Sequence, residues 1–531
     1  MLHIVWFKRD LRVADHAPLA HAAAHGSVLP LYVIEPEVFQ AADFAHQHWG
    51  FIRESLIELR HDLAGLGSRL IIRQGEMTAV LAALIQELGN FSLASHAETG
   101  NDITYRRDIR VKSWCLDNGV AWQEFRQHGV IRTLTDRNGW AKRWDQQMSE
   151  PLISKPAHLQ SPRADVAGIQ KLDDISIDFH EADKPQRQRG GRSHGVELLH
   201  SFLDERGQHY RSAMSSPLSA ADECSRLSPH FAYGTVSIRE TAHAVWAKRS
   251  ALLAMPPHAR PAHLLLSLKS FESRLHWHCH FIQKLESEPA IEFRHVHRGF
   301  DRVRNEGALS ADEEIKFAAW KNSKTGYPMI DACMKMLQQT GWINFRMRAM
   351  LVSFASYQLW LHWRHTGVYL ATQFLDYEPG IHYPQVQMQS GVTGINTIRI
   401  YNPIKQARDQ DPEGIFVRRW LPTLARVPDA YIFEPWTMPQ ALQEHVGFII
   451  GRDYAAPIVD HLRSAKFARD TLWALRKNDS VRDAAKQVYE KHGSRNPARE
   501  GVRGRAPNGK LKRQTSTGTP TADAQLSFGF E

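Results

Sequence analysis

The chain has 531 residues and a hydrophobic content of 43 %, enough for two or more domains with sizeable cores. Its net charge of +9 favours polyanionic partners, nucleic acid first. The four cysteines lie far apart in sequence, which excludes a disulfide framework and a zinc ribbon and gives no support to an iron–sulfur cluster. Charges at Lys8, Arg9 and Asp10 exclude an ordinary signal peptide, and no apolar run of about 18 residues occurs. We therefore expect a soluble, cytoplasmic protein that does not contact a membrane.

Short apolar runs alternate with helical patterns over residues 1–135. Apolar residues recur at helical spacing in Trp49–Leu66 and Met77–Leu88. The runs of strand type are His3–Phe7, Val28–Ile34, Arg69–Arg73 and Phe91–Ser95. This alternation predicts an α/β domain with a doubly wound, parallel sheet, whose ligands would sit at the carboxyl ends of the strands. No GxGxxG motif follows the first strand, which argues against a dinucleotide site there.

The segment after the first strand carries three charged residues, Arg9, Asp10 and Arg12. These residues predict a salt-bridged cap on the sheet. Residues 136–194 lack periodicity and are punctuated by proline, which predicts an interdomain linker.

From residue 195 the pattern becomes helical and stays so to residue 492, which predicts an all-α domain. An amphipathic helix opens it at Val196–Arg206, and residues 293–313 are typical of a surface connection of mixed charge. Residues 493–531 are polar and basic, which predicts a disordered tail.

Residues 320–424 combine aromatic, basic and acidic side chains within an apolar segment. Apolar residues recur at helical spacing from Met334 to Trp363, interrupted by one glycine, Gly341. Its tryptophans are Trp320, Trp342, Trp360, Trp363 and Trp420. One interpretation is a buried helix hairpin with paired charges. Aromatic walls with arginines and carboxylates are more typical of a pocket for a large, flat, anionic cofactor.

Several short motifs in this segment occur together in one order. They are Lys324-Thr-Gly-Tyr-Pro328 with Asp331, Gly341-Trp342, Arg346, Arg348, Asp376-Tyr-Glu-Pro379, Asn402-Pro403, Lys405-Gln406, Asp411-Pro-Glu-Gly414 and Arg418-Arg-Trp-Leu-Pro422. The segment resembles the flavin-binding core of the photolyase/cryptochrome family. The part from Asp376 to Leu424 is most similar to the DASH-type cryptochromes, and Val5–Arg12 resembles the family's opening signature.

The resemblance implies noncovalent FAD in the helical domain. The turn Cys224–Ser228 resembles the family's phosphate-binding turn, with cysteine where threonine is usual. Arg348 and Asp376 would form a salt bridge against the flavin ring, and Glu378 stands where aspartate is usual. The implied FAD-binding residues are Tyr210, Cys224, Ser225, Arg226, Leu227, Ser228, Trp342, Arg348, Asp376, Glu378 and His382.

The same resemblance implies roles in catalysis and electron transfer. Trp277 and Trp342 would wall the cavity for a flipped base, and His382 would face flavin N5 and exchange protons near neutral pH. Val386 stands where the family usually has the first tryptophan of an electron relay. Trp363 matches the second relay position, with Trp360 and Tyr383 as further candidates.

Two replacements affect lesion recognition. Arg274 falls near a position where photolyases carry glutamate, and Phe345 replaces an asparagine found in many photolyases. No metal site is predicted: His276 and His280 lie one helical turn apart, but no further ligand is marked.

The resemblance implies an FAD-dependent DNA photolyase that splits pyrimidine photoproducts in DNA under blue light. The alternative is a cryptochrome-type blue-light receptor without repair activity; a light-independent flavoprotein that binds DNA has no supporting feature.

The family's N-terminal domain holds an antenna pigment, often a folate or a deazaflavin, so a second chromophore of unknown identity is an open expectation. Gln525–Phe530 loosely resembles peptides that bind bacterial sliding clamps, but Gly529 breaks the spacing and a chance match is the simpler interpretation.

Overall fold

The structure, a computed structural model, describes residues 1–493 except residues 176 and 180. The N-terminal part forms a parallel five-stranded sheet in the order β3-β2-β1-β4-β5. Its strands are β1 (Leu2–Phe7), β2 (Ser27–Ile34), β3 (Ile71–Gln74), β4 (Ser92–His96) and β5 (Trp122–Phe125). The fifth strand, whose residues are half-exposed or exposed, was not among the predicted strands.

Helices cover both faces of this sheet. They are α1 (Ala17–His25), α2 (Pro36–Phe39), α3 (His46–Gly65), α4 (Met77–Leu88) and α5 (Asp102–Asp117). Alternate residues of β1 enter different cores: Val5 and Phe7 pack in one, and Ile4 and Trp6 pack in the other. The side-chain alternation of a strand therefore builds two hydrophobic layers. The predicted doubly wound α/β domain is confirmed.

A long connection leads away from the sheet. It contains α6 (Trp140–Ser149), whose buried Trp140, Trp144 and Met148 pack with the helices that follow. Residues beyond α6 return to the sheet domain, where Leu159 N donates to Leu66 O at 2.7 Å and Ile169 N donates to Ile72 O at 2.8 Å. The prediction of an irregular linker here missed α6, whose apolar residues cover the helical domain.

The remaining chain is helical. Its helices are α7 (Arg192–Asp204), α8 (Tyr210–Ala213), α9 (Ala220–Glu223), α10 (Ser228–Ala232), α11 (Ile238–Ala254), α12 (Ala262–Ser287), α13 (Ala311–Lys321), α14 (Pro328–Thr340), α15 (Phe345–Ser353), α16 (Trp363–Gln373), α17 (Pro379–Gln389), α18 (Pro403–Gln410), α19 (Ile415–Trp420), α20 (Gln440–Val446), α21 (His461–Arg476) and α22 (Asp479–His492). The predicted all-α second part is confirmed. Within residues 1–493, apart from the two omitted positions, no helix is long and apolar enough to cross a membrane. The peptide that loosely resembles clamp-binding sequences and all but the first residue of the predicted tail lie outside the described residues.

The helical pattern from Met334 to Trp363 is divided into separate helices. Gly341 ends α14 in the left-handed conformation, with φ of 67°. A π-helical segment, Phe354–Gln358, then follows α15 directly. Trp360 has φ of 59°, and α16 begins at Trp363. The predicted helix hairpin is therefore broken at the point where the two candidate relay tryptophans lie.

The expected salt-bridged cap after β1 does not form, because its residues are buried against other partners. Arg9 reaches the helical domain, donating to Ala232 O and Tyr377 O at 2.7 Å each. The Asp10 carboxylate contacts the imidazoles of His16 and His96 at 3.0 and 2.7 Å. Arg12 donates to Gly234 O at 2.8 Å. This segment joins the two domains.

Candidate functional site

A cavity of about 330 Å³ lies within the helical domain. Its walls come from the turn before α10, the middle of α12, the start of α15 and the loop and helix around α17. Of the predicted cofactor and catalytic residues, Tyr210, Cys224, Ser225, Arg226, Ser228, Trp277, Trp342, Arg348 and Asp376 line it. Folding therefore brings together residues separated by more than 150 positions in sequence.

The turn Cys224–Ser228 presents polar groups to the cavity. Arg226 has φ of 61°, a conformation that side chains rarely adopt. Its guanidinium lies 4.0 Å from the centre of the Trp342 ring and donates to Gln188 Oε1 at 3.0 and 3.1 Å. Burial lowers the pKa of Arg226 to about 10, which still leaves it charged at neutral pH. Leu227 does not line the cavity, because its side chain is fully buried in the core.

An ion pair occupies one end of the cavity. Arg348 Nη2 donates to Asp376 Oδ2 at 2.8 Å, and Arg348 Nε donates to Ile343 O at 2.8 Å. Burial alone would raise the pKa of Asp376, but the adjacent Arg348 guanidinium outweighs it and leaves the pKa below its usual value. Asp376 Oδ1 is buried and has no hydrogen-bond partner among the described residues. The pair is therefore ionised, with one acceptor oxygen available to a ligand.

Aromatic side chains form the other walls. Trp342 is buried, Trp277 is half-buried, and Phe345 at the start of α15 is 38 % exposed. Arg274 and Arg346 also line this region. The cavity is thus apolar inside and has basic groups on its walls, as suits an anionic ligand with flat rings.

Glu378 lies beside this cavity rather than in it. It lines an adjoining cavity of about 120 Å³, which shares the walls Arg348 and Asp376 with the first. Its carboxylate Oε2 lies 3.3 Å from Arg9 Nη2 of the sheet domain. Burial raises the pKa of Glu378 despite this neighbour. Glu378 therefore contributes a contact between domains.

His382 also lines the smaller cavity. Its Nε2 donates to Gly367 O at 2.8 Å. Burial lowers the pKa of His382 to about 4, with the Gly367 carbonyl opposing the shift. With this pKa the imidazole is neutral near pH 7, which does not favour proton exchange at that pH; the role of His382 beside flavin N5 stays a prediction.

The two candidate relay tryptophans have different neighbours. Trp363 is fully buried, with ring centres of Tyr383 and His362 at 6.3 and 5.5 Å. Trp360 stacks on the Arg304 guanidinium at 4.5 Å and meets the Phe467 ring at 4.9 Å. Neither tryptophan lines the cavities described above.

The histidines of α12 take part in packing. The His276 ring lies 3.6 Å from that of Trp144, and His280 Nδ1 lies 2.9 Å from Arg137 Nη2. Both therefore face α6 and the segment before it.

Comparisons with known proteins agree with this geometry. A family model described as the FAD binding domain of DNA photolyase matches residues 271–474, and one described as DNA photolyase matches residues 3–154. The cryptochrome DASH of Gloeobacter violaceus is 28 % identical over 488 residues, covering 87 % of this chain and 94 % of that protein. A deoxyribodipyrimidine photo-lyase of Vibrio cholerae is 27 % identical over 479 residues, covering 87 % and 97 %. The crystal structure of a bacterial class III photolyase from Agrobacterium tumefaciens aligns with a TM-score of 0.77 at 25 % identity, covering 90 % and 98 %.

The chain belongs to the photolyase/cryptochrome family. FAD is its cofactor. The cavity fits this group: Asp376 Oδ1 and Gln385 Oε1 are buried acceptors without a hydrogen-bond partner in the part of the chain that the structure describes, and both atoms belong to lining residues. Arg226 could supply positive charge, and Ser225 and Ser228, two of the lining residues, could supply hydroxyl donors for an anion.

This photolyase/cryptochrome has a third cavity, of about 90 Å³, between its two domains. Lys8, Arg9 and Arg107 line it together with Glu35 and Glu98. Arg107 donates to Glu35 Oε1 at 2.8 Å and to Glu98 Oε2 at 2.5 Å. The cavity lies where the parallel strands end, the usual ligand position in such sheets.

Several residues of the main cavity are not predicted by the sequence motifs. Gln385 and Gln389 face it from α17, while Asn396, Thr397 and Arg399 reach it from the following loop. The last three lie in the segment that resembles DASH-type cryptochromes, but loop residues without periodicity give no signal of the direction in which they point.

Proposed function

We propose that the protein is an FAD-dependent DNA photolyase that splits ultraviolet-induced pyrimidine photoproducts under blue light. Reduced FAD would supply the electron on excitation. The chain's own residues bind and orient the ring, exclude water and receive the damaged base. DNA carrying such photoproducts is the proposed substrate.

One observation carries the proposal: the cavity with the Arg348–Asp376 pair also has walls of Trp277, Trp342 and Phe345. Enzymes that act on a base flip it out of the duplex and stack it between aromatic side chains. The exposed fraction of Phe345 places part of this aromatic wall at the surface. A flipped base would thus enter beside the group that Asp376 holds.

The ion pair would set the state of the bound cofactor. Arg348, with its positive charge, favours an anionic ring next to it, and Asp376 Oδ1 can accept a hydrogen bond from a ring N–H. Asp376 must stay ionised for this, and its lowered pKa keeps it so at neutral pH. His382 would remain a neutral hydrogen-bonding group.

Repair of a defined lesion tests the proposal. Oligonucleotides with one cyclobutane thymine dimer or one (6–4) photoproduct would be illuminated with blue light in the presence of protein whose FAD has been chemically reduced. We expect the protein to repair one of the two lesions in the light and neither of them in the dark. Trp277→Ala should lower lesion binding and repair, whereas Trp473→Ala, an exposed tryptophan on α21, serves as the matched control.

A photoreceptor without repair activity is the second candidate. Arg274 and Phe345, which replace residues of many photolyases, both line the cavity, and this favours a changed ligand. If neither lesion is restored by protein with fully reduced FAD, the repair proposal fails and the photoreceptor proposal replaces it.

We also propose that the cavity between the domains holds the second, light-harvesting chromophore. Its position at the strand ends and its paired arginine and carboxylates support a polar, flat pigment. Denaturing the purified protein should release a second pigment beside FAD. Release of FAD alone from protein purified under dim light would contradict this proposal.

A further inference from the structure

The electron path into the flavin site lacks a redox-active residue at its expected start. Val386 lines the smaller cavity next to Asp376 and cannot give up an electron. Another residue must therefore donate first. Among the residues lining this cavity, Tyr377 is the one with a phenol.

Tyr377 belongs to a buried cluster with Tyr383 and Asp43. Its hydroxyl donates to Asp43 Oδ2 at 2.5 Å, and the Tyr383 hydroxyl lies 3.3 Å from that of Tyr377 and 3.4 Å from Asp43 Oδ2. Asn101 Nδ2 donates to the same carboxylate oxygen at 3.1 Å, which fixes its position. Asp43 lies in the sheet domain, so the cluster spans the interface between the domains.

The cluster leads on to Trp363. The Tyr377 and Tyr383 ring centres are 6.3 Å apart, and those of Tyr383 and Trp363 are also 6.3 Å apart. Trp363 then meets His362, whose ring lies 6.2 Å from that of half-buried His365. The rings thus form a continuous path from the cavity with Asp376 to a less buried part of α16.

We propose that Tyr377 and Tyr383 replace the missing relay tryptophan as the route of electron entry, with Asp43 as the proton acceptor. Bound FAD, excited in its oxidised state, would supply the electron acceptor. Tyr377 gives up one electron, its O–H bond breaks, and the proton forms an O–H bond on Asp43. An external dithiol then returns electrons one at a time through Trp363 and Tyr383. Two such steps remove two electrons from it, release its two S–H protons to solvent and form the S–S bond of its disulfide. The proton on Asp43 moves back to Tyr377. The inference rests on the proposed light-driven use of FAD but not on DNA repair.

The short hydrogen bond to the Asp43 carboxylate allows the buried Tyr377 phenol to act as an electron donor. An oxidised tyrosine that kept its proton would be a cation in an apolar interior, which is costly. Burial and the nearby Asp43 also raise the pKa of Tyr377 well above its usual value, so the phenol carries its proton before the step. Transfer of that proton to Asp43 leaves the tyrosine neutral.

Photoreduction measured without DNA tests the route. In blue light with dithiothreitol, Tyr377→Phe and Asp43→Asn should each slow FAD reduction about a hundredfold, the usual contribution of a positioned proton acceptor. Trp363→Phe should also slow it, whereas Trp360→Phe should not. In the unmodified protein, freezing under illumination should trap a tyrosyl radical, seen by electron paramagnetic resonance. Its spectrum should change in protein made with ring-deuterated tyrosine.

Tyr454→Phe is the matched control, since Tyr454 is buried and its hydroxyl lies 2.5 Å from the Asp331 carboxylate, away from both flavin-side cavities. It should leave photoreduction unchanged. Reduction by dithionite should proceed normally in every variant, which shows that FAD is bound and accessible. Wild-type photoreduction in both Tyr377→Phe and Asp43→Asn, or no tyrosyl signal in the unmodified protein, would overturn the proposal. The photoreduction experiment contains no DNA, so its result does not depend on whether the protein repairs a lesion.

Discussion

We expect cofactor binding to depend most directly on Asp376. One of its oxygens pairs with Arg348, and the other is a buried acceptor in the cavity wall. Asp376→Asn would remove the charge and leave the half-buried Arg348 guanidinium without its anion. A charge-assisted hydrogen bond contributes about 1.5–3 kcal/mol, so the affinity for FAD should fall by about ten- to a hundredfold. Binding of FAD to the apoprotein, followed by quenching of flavin fluorescence, measures this.

Asp409→Asn is the control for this prediction, because Asp409 forms a surface ion pair with Lys405 at 2.9 Å and should leave FAD binding unchanged. Unchanged affinity of the Asp376 variant would remove this residue from the site.

Sequence motifs alone suffice to predict that Arg348 and Asp376 meet. They do not predict the partners of Glu378 and His382, because these partners, Arg9 and Gly367 O, come from other parts of the chain.

The π-helical segment Phe354–Gln358 lies directly before the two candidate relay tryptophans, Trp360 and Trp363. Arg304 is buried beside it and donates to Ser356 O at 2.9 Å and to Ser390 O at 3.1 Å. Arg304→Met would leave two carbonyls without these bonds, at about 1–3 kcal/mol for each unsatisfied group. We expect the free energy of unfolding, measured in urea, to fall by about 2–6 kcal/mol. The surroundings of Trp360, whose ring lies 4.5 Å from the Arg304 guanidinium, should change in the same variant.

Arg302→Met gives the comparison for Arg304, since Arg302 lies two residues earlier and is exposed. Equal stability losses in the two variants would contradict a role for Arg304 in holding the π segment.

The sequence pattern suggested a surface connection at 293–313, yet His295, His297 and Arg304 are buried. Periodicity detects faces of regular helices and strands, so it cannot identify a charged residue that satisfies an irregular turn. It did detect Met77–Leu88, a helix with one clean apolar face.

The two domains are joined at the loop that carries Asp376. His48 of α3 donates from Nε2 to Phe374 O at 3.0 Å and accepts at Nδ1 from Ala45 N at 3.1 Å. Burial lowers the pKa of His48 to about 4, with Phe374 O and Asp43 opposing the shift and Arg9 and Lys184 adding to it. Only the neutral ring can make both bonds. The protein should therefore be most stable above the unfolded-state pKa of about 6.5 and lose stability as pH falls toward 4.

His48→Gln separates this contribution from the rest of the acid response. Glutamine can donate and accept hydrogen bonds without titrating. Between pH 6.5 and 4 the free energy of unfolding of the variant should therefore fall by up to about 3 kcal/mol less than that of the parent. Urea unfolding at several pH values, with release of flavin as a second signal, measures it. His61→Gln, an exposed position of the same helix, should leave the pH profile unchanged. Identical profiles for parent and His48→Gln would exclude this histidine as the cause.

The net charge of +9 predicts DNA binding that weakens strongly with salt, because each neutralised phosphate releases counterions. Residues 494–531 contribute seven lysines and arginines against three acidic residues. The truncation is best made after residue 493, since Lys491 and His492 bond to Glu288 at 2.7 and 2.6 Å. The truncated protein should bind damaged and intact DNA more weakly by the same factor and show a shallower salt dependence.

Preference for damaged DNA should survive this truncation, because the base would be read by the cavity walls Trp277 and Trp342 rather than by charge. Trp277→Ala in the full chain should have the opposite effect, losing the preference while keeping the salt dependence. Binding of all three proteins to damaged and intact strands at two salt concentrations separates the two contributions. If the truncated chain lost the preference, or the parent had none, lesion recognition would not reside in the cavity, and the photoreceptor proposal would gain the support that repair had lost.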